Sequence, residues 1–192
     1  MAEHQILDEV RKQRAMELLN QGRLEDARTV LSELCLDDQA DIEAWSLYGT
    51  VNGYLGRFSD VIAASRKALE IDPDYLPALN SLASALAALG HHDQAAAKFA
   101  DLLRLAPNNP AVLNNYGHIL VLMGRLKEGR RALEDAVRIQ PHYAEAHYNL
   151  ALLLEQSGET AEALREYEQA AALKPGLPGL NEHMNRLRGI VT

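Results

Sequence analysis

One cysteine, Cys35, stands in 192 residues, so no internal disulfide can form and no cysteine-based zinc cluster can be assembled. Aromatic residues make up only 5%, with one Trp and two Phe, and Val plus Ile number 15 against 61 Ala plus Leu. Such a chain has little of what pleated surfaces use and much of what helices use. No apolar run approaches the ~18 residues of a membrane-spanning helix. The opening residues MAEHQILDEVRKQRAMELLN alternate charge with aliphatics and lack a signal-peptide core. Positive charge is also short: Lys plus Arg is 19 against 27 Asp plus Glu, for a net charge of −8. That balance argues against a general nucleic-acid partner. What remains is 47% hydrophobic, too much for a disordered chain. Composition therefore predicts a soluble, helical, cytoplasmic protein.

Glycine and proline are few but periodic. Gly22, Gly56, Gly90, Gly124 and Gly158 are 34 residues apart, and Pro73, Pro107, Pro141 and Pro175 keep the same interval. Each Gly follows one apolar helical stretch and each Pro follows the next, so the order reads helix, Gly turn, helix, Pro stop. Five units follow, 8–41, 42–75, 76–109, 110–143 and 144–177, in a single domain. Asp41, Asp74 and Asn109 are expected as helix N-caps, with Pro110 at a first helical position. Small residues recur twelve positions apart: Ala15 with Ala27, Ala83 with Ala95, Gly117 with Gly129, Ala151 with Ala163. Such pairs across a turn predict antiparallel helices in close contact. Gly49 is paired with the larger Val61. Arg11 and Arg14 are expected on the outer side of the first unit, where polar residues prevent further stacking. At the other end Leu180, Met184 and Leu187 form the stripe of a capping helix over 178–190.

These residues resemble the tetratricopeptide repeat family over 8–177. Its pattern is met by Trp45, Tyr48 and Gly49, by Ala95, Phe99 and Pro107, and by Leu150, Ala151, Leu154, Ala163, Tyr167, Ala170 and Pro175. Gln39 replaces the first unit's Pro, and Asn52 and Ser65 interrupt the second unit. The resemblance implies an all-α, right-handed α-solenoid of about five antiparallel helix pairs, with first helices lining a concave face. The helical phase beside the core stripe then marks a groove: Tyr54, Asn80, Ser84, Asn114, His118, Tyr148 and Leu152, with Asn115 and Asn149 next to it. An amide both donates and accepts, matching the N–H and C=O of an extended peptide. Repeats resembling the helical region of O-linked N-acetylglucosamine transferase use an asparagine ladder of this kind. Asn115 and Asn149, 34 apart, are expected to be two of its rungs; the alternative is that the asparagines join helices.

The same resemblance excludes another partner. Repeats that grip the acidic C-terminal tails of heat-shock chaperones use a clamp of Lys, Asn, Asn, Lys and Arg. Lys12 fits its first place, but Met16, Leu47, Pro77 and Ser81 stand at the others, and carboxylate capture needs fixed positive charge. Catalysis finds no support either: there is no nucleophile motif, phosphate loop or metal-ligand spacing. His91, His92 and Asp93 are read as an exposed turn. The run Arg125, Lys127, Arg130 and Arg131 is read as a solvated face, and Cys35 as buried rather than reactive. The expected function is a non-catalytic adaptor, without cofactor or metal, binding a peptide segment of a protein partner in its groove. The alternatives are an architectural protein that self-associates, through Phe58, Tyr75 or imperfect caps, and a recruitment module of a larger enzyme such as a glycosyl- or sulfotransferase.

Overall fold

The computed structural model describes residues 2–191, with side chains described over 6–190. Those residues form helices and no strand. The first hairpin is α1 (Ala2–Asn20) and α2 (Leu24–Asp37), the second α3 (Ile42–Tyr54) and α4 (Phe58–Ile71), and the third α5 (Leu76–Ala88) and α6 (His92–Leu105). The fourth is α7 (Pro110–Leu122) and α8 (Leu126–Ile139), and the fifth α9 (Ala144–Gln156) and α10 (Thr160–Leu173), followed by the single helix α11 (Leu180–Val191). From α3 onward every first helix has 13 residues and every second helix 14. The chain divides into two compact units, 1–98 and 99–192, with the division inside α6.

The hairpin turn is built by backbone chemistry that the period predicts. Gly56 sits at φ +71°, a left-handed conformation that residues with a Cβ resist. Its N–H donates to the Gly53 carbonyl at 3.0 Å, and the next N–H, of Arg57, donates to Asn52 at 2.8 Å. This double closure satisfies carbonyls that a helix end otherwise leaves open. The same pair of bonds recurs at Gly22, Gly90, Gly124 and Gly158.

Helix starts follow the period less faithfully. Asp41 accepts from the N–H of Ala44 at 2.9 Å, and Asn109 accepts from Ala111 and Val112 at 3.1 and 3.2 Å. The expected cap at Asp74 is not made. Tyr75 holds the cap position, without a side-chain bond, and the Asp74 N–H donates to Asp72 Oδ1. The 34-residue register places the cap at 41, 75 and 109, so Asp74 is one residue early.

In the unit of residues 1–98, Ala15, Leu18, Ala27, Leu31 and Val51 form one buried cluster, and Leu34, Cys35 and Ala44 another against Trp45 and Tyr48. Cys35 is buried, and burial, with Asp41 nearby, pushes its thiol up to about 12, so it is held as the neutral thiol. Arg11 reaches across the first hairpin to Asp37 at 2.6 Å. Phe58 and Tyr75 are each half-buried rather than exposed.

In the unit of residues 99–192, Leu150, Leu154, Tyr167, Leu180, Met184 and Leu187 belong to one continuous core that joins α9, α10 and α11. The capping stripe of α11 is therefore in place. The helices approach closely at the expected Gly117–Gly129 pair: a methyl group on Gly117 would lie 2.7 Å from Leu133 Cγ and 3.1 Å from the Gly129 carbonyl oxygen.

Candidate functional site

Three of the nine groove residues come together within the compact unit of residues 1–98. Tyr54, Asn80 and Ser84 line a cleft of about 450 Å³ between α3 and α5, closed at one side by the start of α4. Tyr54, Phe58 and Val61 supply its apolar surface. Thr50, Asn80, Ser81 and Ser84 supply hydroxyls and an amide, and Gly49, Gly53 and Ala85 complete it. No charged side chain among the described residues lines it. Tyr54 is 68% exposed, and Asn80 and Ser84 are exposed as expected. A second cleft of about 310 Å³, lined by Leu19, Asn20 and Leu24, lies against the same tyrosine.

The cleft follows from the sequence of the second repeat. Position 53 is equivalent, by the period, to Leu19, Ala87, Val121 and Glu155, and only here is it glycine. Gly53 was not among the expected groove residues, and neither was Phe58; aligning the repeats position by position finds the glycine at once.

The asparagines of the second unit are already engaged with one another. Asn149 Nδ2 donates to Asn114 Oδ1 at 2.8 Å, and Asn114 Nδ2 donates to Asn115 Oδ1 at 3.2 Å. Burial, with Glu145 nearby, raises the pKa of the Tyr143 phenol, and the Asn114 amide opposes that shift. Asn114 is 4% exposed, whereas Asn115 and Asn149 are half-buried. The expected parallel rungs are thus replaced by a chain running from α9 through Asn114 to Asn115. Asn114 is the joint, and the amide edges of Asn115 and Asn149 that these bonds leave over are what the network offers. His118 is exposed on the same helix.

Tyr148 and Leu152 are half-buried beside the C-terminal end of the core. The Tyr148 hydroxyl donates to the Pro178 carbonyl at 2.9 Å, and its ring lies 5.7 Å from Tyr167 and 6.2 Å from His183. Leu152 packs on the cluster that includes Leu180 and Met184. Beside them Glu155 accepts from Tyr167 Oη at 2.8 Å, pairs with His183 Nδ1 at 2.8 Å, and is gripped by Arg186. Burial opposes the Glu155 carboxylate, but the bonds from Tyr167, Arg186 and His183 outweigh it and hold its pKa below the usual range.

Lys12 is equally committed. Its ammonium lies 3.1 Å from Glu9, 3.2 Å from Asp41 and 3.1 Å from Glu43, and these hydrogen bonds raise its pKa against the opposing effect of burial. A cation with three carboxylates around it has little left for a partner's carboxylate tail. No helix among the described residues is long and apolar enough to cross a membrane.

Three models of the tetratricopeptide repeat match the chain, over residues 13–33, 55–114 and 109–175. Among solved structures, PilW, a type IV pilus biogenesis factor, superposes with a TM-score of 0.84 at 19% identity, over 95% of this chain and 86% of its own. MamA from Desulfovibrio magneticus RS-1 does so with a TM-score of 0.81 at 18% identity, over 89% of this chain and 97% of its own. YrrB, described as a TPR protein with an unusual peptide-binding site, gives 0.74 at 19% identity, over 92% and 90%. At these identities the likeness is one of fold. No curated protein matches the chain. Periodic Gly-closed hairpins, equal helix lengths and matching repeat models lead to one assignment: the chain belongs to the tetratricopeptide repeat family.

Proposed function

We propose that this protein is a non-catalytic interaction scaffold that holds an uncharged peptide segment of a protein partner on the faces of its first helices. The observation that carries the proposal is the cleft between α3 and α5, where Tyr54, Asn80 and Ser84 combine an exposed aromatic ring with an amide and a hydroxyl and no charge. Main-chain groups of an extended segment need donors and acceptors; its side chains need apolar hollows. The half-buried amides of Asn115 and Asn149 supply the first kind of contact in the other unit. YrrB, which shares the fold, is described as binding a peptide.

Selection of displayed random 12-residue peptides against the full chain tests this. Peptides are expected to be enriched and to bind the folded Asn115→Ala/Asn149→Ala variant roughly tenfold more weakly, as for the loss of two neutral hydrogen bonds. Equal binding to wild type and to variants of both units would refute the assignment to the first-helix faces.

A further inference from the structure

The cleft is not an accident of packing. In the fourth repeat Val121 on α7 leans over Gly129 on α8: a methyl group on Gly129 would meet Val121 Cγ2 at 2.9 Å and the Gly117 carbonyl at 3.0 Å. The equivalent residues of the second repeat are exchanged, Gly53 on α3 and Val61 on α4. Here the glycine is not forced. A methyl group on Gly53 would sit 3.9 Å from Val61 Cγ2, and one on Gly49 would sit 3.6 Å from Ala64 Cβ, both ordinary contacts. Each glycine inside a helix forgoes roughly 0.5–1 kcal/mol relative to alanine. Helix α3 carries two that nothing in the folded chain requires, and both line the cleft.

The lining also selects its occupant by charge. Elsewhere on this acidic chain, a cleft of about 270 Å³ between α8 and α10 is lined by Arg130, Glu134, Arg138, Glu162, Arg165 and Glu166, and one of about 370 Å³ at the first turn by Arg23, Glu25 and Asp26. Among the described residues, the cleft at Gly53 and its neighbour across Tyr54 have no charged side chain in their lining. The aromatic edges of Tyr54 and Phe58 favour a further ring in offset or edge-on contact.

Resting on the peptide-binding reading above, we propose that this cleft is the anchor pocket for one aromatic side chain of an uncharged peptide segment, with Gly49 and Gly53 kept side-chain-free so that the ring can lie against the α3 backbone. Asn80, Ser81 and Ser84 then face the peptide main chain on either side of the anchor.

The test uses the full chain and peptides from the random 12-residue selection. The peptides are expected to share an aromatic residue, and replacing it with Ala or Glu is expected to weaken binding roughly tenfold or more. Peptide addition is expected to shift the Gly49 and Gly53 amide resonances. Ser84→Phe, which fills the cleft from an exposed position, is expected to weaken binding as much as removal of the anchor. Gly53→Leu serves as the second blocking variant if Ser84→Phe fails to fold. Binding that ignores the aromatic residue, or ignores both blocking variants, overturns the proposal. If such peptides still lose affinity in Asn115→Ala/Asn149→Ala, groove binding stands and the anchor pocket alone falls. If no peptide is selected, both fall. If N-acetyltryptophanamide alone shifts the two glycines with the affinity of the peptides, the cleft is a small-molecule site and the peptide assignment is overturned.

Discussion

In the fourth repeat valine stands on the first helix and glycine on the second; in the second repeat the order is reversed, Gly53 before Val61. The backbone turn is the same in both, with Gly124 and Gly56 at φ +75° and +71°. The packing differs. Around Gly117 and Gly129 the helices approach so closely that either missing methyl would collide with a side-chain carbon, of Leu133 or Val121, and press on backbone oxygen. Around Gly49 and Gly53 there is room, and the room opens outward as a cleft. A repeat fold specifies the joint but leaves free which side of it carries the volume. Volume kept on the second helix bares the first, the face proposed to meet a partner.

The second repeat is thinner inside as well. Ser65 occupies the position held by Leu31, Phe99, Leu133 and Tyr167 in the other repeats, and Asn52 that of Leu18, Leu86, Leu120 and Leu154. All ten side chains are buried. Asn52 donates to the Tyr48 carbonyl at 2.8 Å, but its Oδ1 has no hydrogen-bond partner among the described residues. An unmet buried acceptor destabilises by about 1–3 kcal/mol. The sharpest way to break the comparison is to give the fifth repeat the second repeat's residue. Tyr167→Ser removes a fully buried ring from the core of the second unit and the hydroxyl that bonds Glu155. A loss of roughly 3–5 kcal/mol in urea unfolding is expected, as for other buried aromatic truncations. A loss below 1 kcal/mol would mean that the fifth repeat tolerates a thin interior as the second does.

The next effect has opposite signs in the two repeats. Gly117→Ala forces a methyl against Leu133 and the Gly129 carbonyl, so overpacking of about 1–3 kcal/mol is expected to outweigh the helix-propensity gain. Gly53→Ala meets only ordinary contact and is expected to stabilise by about 0.5–1 kcal/mol. Equal signs in paired denaturation curves would remove the argument that Gly53 is spared for a ligand.

The period made the turns and the helix lengths legible, because one glycine at one φ closes every hairpin. It also revealed the Gly117–Gly129 contact. The readings that shifted were local. Asp74 has the right chemistry for a cap but lies one residue off register. Asn115 and Asn149 are equivalent in sequence, yet an amide reaches a neighbouring helix at the residue beside its equivalent, so Asn149 meets Asn114. Tyr148 and Leu152 share the groove phase but lie where α11 packs, a tertiary fact that periodicity along α9 does not contain. The cleft was half legible: Tyr54, Asn80 and Ser84 follow from helical phase, whereas Gly53 emerges only when one position is compared through all five repeats.

That same position sharpens the comparison a last time. It is Gly53 where the cleft opens, Val121 where the joint is filled, and Glu155 where α11 is held. The groups facing Glu155 are Tyr167 on α10 and His183 and Arg186 on α11. Since its folded pKa is depressed, the stabilisation is complete above the ordinary carboxylate value, about 4.3, and disappears as the pH falls through the lower folded value. The Arg186 side chain is 60% exposed, so solvent screens the pair and the contribution is on the order of 1 kcal/mol or less. Glu155→Gln is therefore expected to lower the urea midpoint modestly at neutral pH, and the gap from wild type should narrow as the pH falls below the ordinary carboxylate range and through the depressed folded value. A gap that stayed constant across the titration would assign Glu155 a packing role. The hold on α11 would then rest on Leu180, Met184 and Leu187 alone, making this position in the fifth repeat a matter of volume, as it is at Gly53 and Val121.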